Sequence, residues 1–291
     1  MKLLLTILTN HKLDKLKRLV NNVLRLLPEP NIELTTIIVV NTLDDAYYQE
    51  VLKEQFPFPV IRTESNGKPG KGKNSCLELF CQSSCDFVTQ FDGDDILYPT
   101  YLNSIWQHVK HYPNLDVLGA IPCDFISNVE PQGGYIFELS GGYWASVWGT
   151  SMCDPRSERG PARGGWLDAE LPSSHDYTIL QSKLSAKYRL DENLPVGEDH
   201  LYTMELLSYH QRGMLRYFQT MSSDMYLIDR TTENSIQKIY PQIDHVQEMK
   251  DKGLRFLKEY RTSFAELPLI YKDLLMSQYD KEAWVKKLFN T

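Results

Sequence analysis

Residues 87–95 read Phe87-Val88-Thr89-Gln90-Phe91-Asp92-Gly93-Asp94-Asp95. An apolar run rich in strand-forming residues ends there in three carboxylates around one glycine, and α/β sheets bind ligands at the carboxyl ends of their strands. Crowded carboxylates repel one another unless a cation lies between them. Mg²⁺ and Mn²⁺ prefer oxygen ligands and are often shared with substrate phosphates, so the stretch predicts a metal–diphosphate site. An acidic turn before a helix that Asp95 caps is the alternative interpretation.

The whole-chain composition limits the class of protein. The chain has 291 residues, 42% of them hydrophobic, which suits one large domain or two small ones. The formal net charge of −7 argues against a general polyanion binder. No stretch approaches a membrane-spanning length, and the apolar run at residues 3–8 predicts a buried strand. Five cysteines without regular spacing favour a reducing, cytoplasmic location.

The first half of the chain alternates between the periodicities of strands and helices. The predicted strands are 3–8, 36–40, 59–63 and 87–91, and the predicted helices are 13–27, 44–55 and about 73–83, the last one after a glycine-rich loop at 67–72. This alternation implies a parallel sheet with right-handed crossovers, so the predicted class is an α/β nucleotide-binding fold.

The second half is less regular. Strands are predicted at 117–121, 135–139 and 224–229, helices at 176–186 and 199–212, and two or three further helices from residue 241 onward. A long loop is predicted at 150–175, and a segment of that length without secondary structure is usually functional or mobile.

The loop Gly67-Lys68-Pro69-Gly70-Lys71-Gly72-Lys73-Asn74 nearly fits the phosphate-binding P-loop pattern. Two features argue against that interpretation. Asn74 lacks the hydroxyl that ligates Mg²⁺ in P-loops, and the preceding strand contains charged residues where P-loop proteins have a buried apolar strand. A kinase or NTPase that uses the Gly67–Lys73 loop nevertheless stays open as an alternative, as does a flexible basic turn.

A second acidic motif, Glu198-Asp199, follows Gly197, which permits a tight turn, and precedes a predicted helix. Acidic residues at a helix start interact favourably with the helix dipole, so these two side chains could serve as caps alone. Beside a metal site from elsewhere in the chain, one of them becomes a candidate general base.

In order and spacing, these motifs resemble those of the GT-A-fold nucleotide-sugar glycosyltransferases, in particular the family 2-like group. The matching positions are Leu8-Thr9-Asn10, Val39-Val40-Asn41, Gly70-Lys71-Gly72-Lys73-Asn74, the Asp-X-Asp motif Asp92-Gly93-Asp94 with Asp95, Glu198-Asp199, and Arg230 with Ser235. Asn41 stands where the family usually has Asp. The resemblance covers roughly residues 3–235.

The resemblance implies a GT-A-type, Rossmann-like nucleotide-binding sheet with helices on both faces, plus a helical C-terminal extension. It divides the chain into a glycosyltransferase domain at residues 1–235 and the extension at 236–291. Within that domain, residues 1–98 form the nucleotide-sugar-binding half and residues 99–235 the acceptor-binding half.

The resemblance also implies an activity, namely a metal-dependent inverting hexosyltransferase. The donor is a nucleotide-diphosphate sugar, expected to be a UDP-sugar such as UDP-glucose, and the acceptor is a hydroxyl of a glycan or glycoconjugate. Asp94 holds Mn²⁺ or Mg²⁺, Asp92 is shared between the metal and the ribose, and Asp199 is the base, with Glu198 as second choice. The implied nucleotide-sugar-binding residues are Thr9, Asn41, Gly72, Lys73, Asp92, Gly93 and Arg230.

The acceptor side rests on aromatic and basic residues. Trp148 and Trp166 suit stacking on sugar rings, and Arg156, Arg159 and Arg163 suit phosphate contacts. The arginines leave open a second acceptor, a hydroxymethylated nucleobase in DNA, although the acidic net charge argues against it. A non-catalytic protein that only binds sugar nucleotides is a further alternative.

Overall fold

The computed structural model describes residues 1–121, 123–127, 135–139, 143–147, 177–195, 197–221 and 226–229. The first part of the chain alternates strand and helix: β1 (Lys2–Thr9), α1 (Leu13–Leu24), β2 (Glu33–Val40), α2 (Asp45–Lys53), β3 (Val60–Arg62), α3 (Pro69–Gln82), β4 (Phe87–Asp92), β5 (Ile96–Leu97) and α4 (Tyr101–His111). Then follow β6 (Val117–Ile121), β7 (Cys123–Ser127), β8 (Tyr135–Leu139), β9 (Tyr143–Val147), β10 (Tyr177–Ser182), α5 (Glu198–Gln211), β11 (Tyr217–Met221) and β12 (Tyr226–Asp229).

The main sheet has seven strands in the order β11-β6-β10-β4-β1-β2-β3. β1 pairs in parallel with β2 and β4, β2 pairs in parallel with β3, and β11 pairs in parallel with β6. β10 is antiparallel to both of its neighbours, β4 and β6. The predicted α/β sheet is therefore confirmed as a mixed one, in which a single reversed strand lies between two parallel groups.

Helices cover both faces of this sheet, as predicted. On one face, Leu3, Leu5 and Ile7 of β1 pack in a buried cluster with residues of α1, α2 and α4. On the other face, Leu4 of β1 belongs to a cluster with residues of α3 and α5. Alternate residues of one strand thus point to opposite layers, which is why β1 is a nearly continuous apolar run rather than an alternating one.

The helix predicted at 176–186 is wrong, because these residues form β10 and a short 3₁₀ turn at Ser185–Lys187. β10 lies inside the sheet, and its consecutive residues Ile179, Leu180 and Gln181 are all buried. A strand that is buried on both faces lacks the alternation that identifies a half-exposed strand, so periodicity alone does not separate it from a buried helix.

A second sheet of five strands has the order β5-β12-β7-β9-β8. The strands predicted at 117–121 and 135–139 are confirmed, and the one predicted at 224–229 is confirmed over Tyr226–Asp229. The long loop predicted at 150–175 and the helices predicted from residue 241 onward lie outside the described residues. Among the described helices, none has both the length and the apolar character that crossing a membrane requires.

Candidate active site

The candidate site lies where three parallel strands end at one edge of the main sheet. Leu8 of β1 is level with Asp92 of β4, and Thr9 is level with Val40 of β2, so Thr9, Asn41 and Asp92 reach the same edge. Ligands of open α/β sheets bind at this kind of edge. The structure thus brings together three candidate residues that are far apart in sequence.

Two glycines keep this edge tightly packed. A Cβ on Gly93 would lie 3.1 Å from Oγ1 of Thr9, and Gly93 donates its N–H to the carbonyl of Leu8 at 2.7 Å. A Cβ on Gly72 would lie 2.9 Å from Cδ1 of Leu8 and 3.2 Å from Cγ of Asn41. The absence of side chains at these glycines lets the acidic turn and α3 approach the ends of β1 and β2 closely.

The acidic turn after β4 is internally bonded. Asp95 N–H donates to the carbonyl of Asp92 at 2.9 Å, and Oδ2 of Asp95 accepts from the N–H of Asp92 at 3.1 Å. Asp95 is buried and does not cap a helix, because α4 begins only at Tyr101. Burial raises the pKa of Asp92, with Asp94 and Asp199 adding to the shift and Lys73 opposing it. Burial also raises the pKa of Asp95, together with Asp92 and Asp94.

Two cations, Lys12 directly before α1 and Arg18 within it, bind Asp94. Nζ of Lys12 lies 2.9 Å from Oδ2 of Asp94, and Nη2 of Arg18 donates to the carbonyl oxygen of Asp94 at 2.6 Å. Lys12 has a φ of 66°, an uncommon conformation for a residue other than glycine. The sequence motifs do not identify either residue as part of the site. Lys12 nevertheless directly follows the loop after β1 and so lies at the same edge as the acidic turn.

The side chains at this edge fit a metal that is shared with a substrate. Among the described residues, no group of three or more His, Cys, Asp or Glu side chains is arranged to hold an ion by itself. Asp94 already attracts a cation, Lys12, and burial raises the pKa of Asp92, with the negative charges of Asp94 and Asp199 adding to the shift. Hard divalent cations are commonly bound through one or two carboxylates plus substrate phosphates, and this arrangement suits Asp92 and Asp94.

The second acidic motif forms the first turn of α5. Gly197 has a φ of 78°, in the left-handed region that favours glycine, and its carbonyl accepts from the N–H of Leu201 at 3.1 Å. Gly197 thus adopts the left-handed conformation directly before α5 and accepts the first hydrogen bond of that helix. The Glu198 side chain is 5% exposed and that of Asp199 is 20% exposed. Burial raises the pKa of Glu198 to about 7, with Lys73 opposing and Asp199 adding to the shift.

Lys73 of α3 reaches this motif across the site. Its Nζ donates to Oε1 of Glu198 at 2.8 Å and lies 3.7 Å from Oδ2 of Asp199. Burial alone would lower the pKa of Lys73, but Glu198, Asp199 and Asp92 outweigh burial and hold it well above its usual value. Lys73 is therefore a charged ammonium among carboxylates, and its predicted role in binding the nucleotide sugar stays a prediction.

A pocket brings the two acidic motifs together between β4 and β10. These strands pair through Val88 and Phe87, and the pocket lies beyond that pairing, toward the carboxyl end of β4. Its lining consists of Leu8, Lys73, Gln90, Asp92, Asp95, Thr178, Ile179, Gln181, Leu190, Asp199 and Tyr202. Asp199 thus faces the same space as Asp92, while the more deeply buried Glu198 is not part of the lining.

The glycine-rich segment at residues 67–73 does not have the structure of a phosphate-binding P-loop. Helix α3 begins at Pro69, so Gly70 and Gly72 lie inside the helix rather than in a loop before it. In a P-loop, backbone N–H groups of a loop before the helix bind the phosphates. Here Nζ of Lys68 donates to the carbonyl of Asn193, and Nδ2 of Asn66 donates to the carbonyl of Glu192.

The same helix is fixed to the segment that leads into α5. Asn74 donates through Nδ2 to the carbonyl of Leu190 at 3.0 Å and accepts through Oδ1 from the N–H of Leu190 at 2.9 Å. A Cβ on Gly70 would lie 2.4 Å from the carbonyl oxygen of Asp191. The backbone of residues 190–192 therefore lies directly against α3, which fixes the approach to Glu198 and Asp199.

Replacing Gly70 by Ala tests this contact. Ala favours a helix over Gly by about 1 kcal/mol, so the substitution would normally stabilise the protein. We expect the opposite sign here, a loss of about 1–3 kcal/mol in the free energy of unfolding, because the new methyl group meets backbone rather than a movable side chain. Urea unfolding measures the change. The control is Glu78→Ala at an exposed position on the same helix, where the free energy of unfolding should change by no more than about 0.5 kcal/mol. A Gly70→Ala variant that is more stable than the wild type would contradict the close contact between Gly70 and Asp191.

Several predicted site residues cannot be placed in this pocket. Arg230, a candidate for nucleotide-sugar binding, lies outside the described residues, as do the acceptor candidates Trp148, Arg156, Arg159, Arg163 and Trp166. Their roles stay predictions. The residues that sequence reasoning missed, besides Lys12 and Arg18, are those that β10 and α5 add to the pocket, such as Thr178, Gln181 and Tyr202.

Comparison with known proteins gives a family and a fold. The model of the family described as Glycosyl transferase family 2 matches residues 6–155. Among solved structures, S. aureus TarS 1-349 in complex with UDP-GlcNAc is 16% identical with a TM-score of 0.56, over 98% of this chain and 78% of that one. A structure of S. aureus TarS is 16% identical with a TM-score of 0.50, over 89% of this chain.

The chain spans 43% of the TarS chain in that second structure, which is less than half of its length. A comparison with curated protein sequences gives no significant match. At this identity the structural similarity concerns the fold alone.

Proposed function

The chain belongs to glycosyl transferase family 2 and is a glycosyltransferase, and we propose that it is an inverting, metal-dependent hexosyltransferase that uses a UDP-sugar. One observation supports the proposal most strongly. The pocket at the carboxyl end of β4 is lined both by Asp92 of the acidic turn and by Asp199 at the start of α5. In this proposal the donor diphosphate lies beside Asp92 and the acceptor hydroxyl lies beside Asp199.

The proposed reaction is a single displacement at the anomeric carbon. The acceptor oxygen forms a bond to that carbon while the bond to the diphosphate oxygen breaks, and the leaving diphosphate takes the electron pair. Asp199 accepts the proton of the acceptor hydroxyl, which is the task of a general base. We assign this task to Asp199 rather than to Glu198 because Asp199 lines the pocket, whereas Glu198 is buried and paired with Lys73.

We propose Asp92 and Asp94 as the residues that hold Mn²⁺ or Mg²⁺. Two protein carboxylates leave coordination positions for the oxygens of the donor diphosphate. In this proposal Asp94 gives up its contact with Lys12 when it binds the ion. When bound, the ion supplies Lewis acidity that stabilises the charge on the leaving diphosphate.

We base the proposed preference for uridine on Asn41. Nδ2 of Asn41 donates to Oγ1 of Thr63 and to the carbonyl of Glu64, both at 2.8 Å. With both amide hydrogens used, the side chain offers only its Oδ1 acceptor to a base. Uracil presents an N3–H donor and cytosine presents an acceptor at the same position, so Asn41 would favour uracil over cytosine, as an aspartate would. The TarS structure that contains UDP-GlcNAc agrees with this assignment.

The remaining parts of the proposal concern the acceptor, the domain and the compartment. We assign the acceptor to a hydroxyl of a glycan or glycoconjugate, on the basis of family membership. We assign donor binding to residues 1–98 and acceptor binding to residues 99–235, with residues 236–291 as an extension. Cys76, Cys81 and Cys85 are free thiols, which suits a cytoplasmic enzyme.

Nucleotide binding tests the donor assignment directly. In the presence of Mn²⁺, we expect UDP to raise the thermal unfolding temperature more than CDP or ATP does. At a hundredfold excess over its dissociation constant, a ligand stabilises the folded state by about 2.7 kcal/mol. The Asn41→Leu variant should lose the protection by UDP, because it lacks the acceptor for N3–H. Equal protection by UDP and CDP would contradict the role of Asn41, and protection by ATP alone would contradict the proposed donor.

A further inference from the structure

Lys73 is the one described lysine that contacts both carboxylates of the Glu198-Asp199 motif. Its Nζ lies 2.8 Å from Glu198 and 3.7 Å from Asp199, and its side chain is 15% exposed. The contact joins residues 125 positions apart, on α3 and α5. Lys73 therefore links the helix that packs over the donor edge to the turn that carries the proposed base.

The backbone on both sides of this contact is fixed by packing. On α3, Gly70 lies against the carbonyl of Asp191, and Asn74 makes two hydrogen bonds with the backbone of Leu190. These residues lead into the first turn of α5. This packing holds the backbone that carries Lys73 against the segment that leads to Glu198 and Asp199.

The charges explain why this contact matters. Glu198 is almost completely buried, and a buried carboxylate without a partner is strongly unfavourable. Asp92 and Asp199 line the same pocket, and their like charges repel each other. Without the ammonium group, Glu198 would lose its ion-pair partner, and Asp199 would lose one of the contacts that hold its carboxylate in place.

We propose that Lys73 is a positioning residue, which neutralises Glu198 and orients the Asp199 carboxylate toward the acceptor hydroxyl, rather than a ligand of the donor diphosphate. This inference rests on the proposed function in one respect, because it takes Asp199 as the base. A positioning role and a diphosphate-binding role predict different effects. If Lys73 positions the base, its replacement slows the reaction step and leaves the binding of the donor unchanged.

The test is a kinetic comparison of Lys73→Met with Lys73→Arg. Met has a similar length and no charge, so we expect kcat to fall by about 10- to 100-fold, as a misplacement of about 1 Å can cost a hundredfold. The donor KM and the dissociation constant of UDP, measured by calorimetry, should change by less than about threefold. Lys73→Arg keeps the charge and should recover part of kcat.

A matched control is available on the same helix. Lys71 lies two residues away and contacts Glu192 at 3.4 Å instead of the Glu198-Asp199 motif. Lys71→Met should leave kcat unchanged. A Lys73→Met variant with an unchanged kcat would overturn the inference. A variant that weakens UDP binding tenfold or more would also overturn it, because that is the result expected of a diphosphate ligand.

A stability cycle keeps the contact testable if Lys73→Met folds poorly or if no substrate is turned over. Lys73→Met leaves the buried Glu198 without its ion-pair partner, and Glu198→Gln leaves Lys73 with Asp199 as its remaining carboxylate, so each should lower the unfolding temperature. The double variant removes both charges and should lose less than the sum of the single losses. Additive losses would overturn the pairing. Wild-type protein that transfers no sugar, with a non-additive cycle, would instead count against the proposed function alone.

Discussion

Replacing Asp199 by Asn is expected to lower the rate of sugar transfer by roughly two to four orders of magnitude, the range found when a general base is removed. Asn has almost the same shape but cannot accept the proton of the acceptor hydroxyl. Binding of the donor should stay near normal, because Asp199 lies on the acceptor side of the pocket in the proposed mechanism. Initial rates of transfer, together with calorimetric titration of UDP, measure the two effects separately.

The control for this variant is Glu205→Gln, on the same helix α5. Glu205 accepts a hydrogen bond from the hydroxyl of Tyr209 and is not part of the pocket lining, so transfer should be unchanged. Normal transfer by Asp199→Asn, combined with loss of transfer in Glu198→Gln, would show that the base is Glu198. Such a result would mean that Glu198 leaves its contact with Lys73 when the acceptor binds.

Replacing Asp94 by Ala is expected to remove most metal-supported donor binding and nearly all turnover. Asp94 contributes one of only two proposed protein carboxylates, so its loss leaves Asp92 alone to hold the ion with the diphosphate. In the wild-type protein, Mn²⁺ should bind weakly by itself and more tightly with UDP, since the described residues provide no complete protein site. Titrations of Mn²⁺ with and without UDP, in both proteins, measure this coupling.

Asp45→Ala is the control for Asp94→Ala. Asp45 also pairs with a cation, Arg62, but its side chain is 83% exposed and lies at the start of α2. Its replacement should change neither the Mn²⁺ titration nor turnover. Full activity of Asp94→Ala, or of the wild-type protein in excess chelator, would contradict the proposed role of the metal.

Local patterns in the sequence were sufficient for the elements that form the donor edge. β1 and β4 are predicted from apolar runs, and α1 from apolar residues at helical spacing. α1 ends at Leu24 rather than residue 27, because the last predicted turn runs into Pro28. The acidic turn and Glu198-Asp199 are recognisable because each lies at a predictable element boundary. The acidic turn lies at the end of a strand, and Glu198-Asp199 lies at the start of a helix.

The contacts that define the site were not predictable in this way. Lys12 and Asp94 are separated by 82 positions, and Lys73 and Glu198 by 125, so no local spacing relates them. Both pairs exist because β1, α3, β4 and α5 end or begin at one edge of the sheet. The strand β10 was missed for a related reason, since burial on both faces removes the alternation that would identify it.

The release of nucleotide diphosphate from a panel of nucleotide sugars, measured with Mn²⁺ and candidate glycan acceptors, tests the central claim most directly. We predict release of UDP from at least one UDP-sugar, dependence on the divalent metal, and loss of release in Asp199→Asn. No release from any nucleotide sugar, together with release of the γ-phosphate of ATP, would contradict the claim.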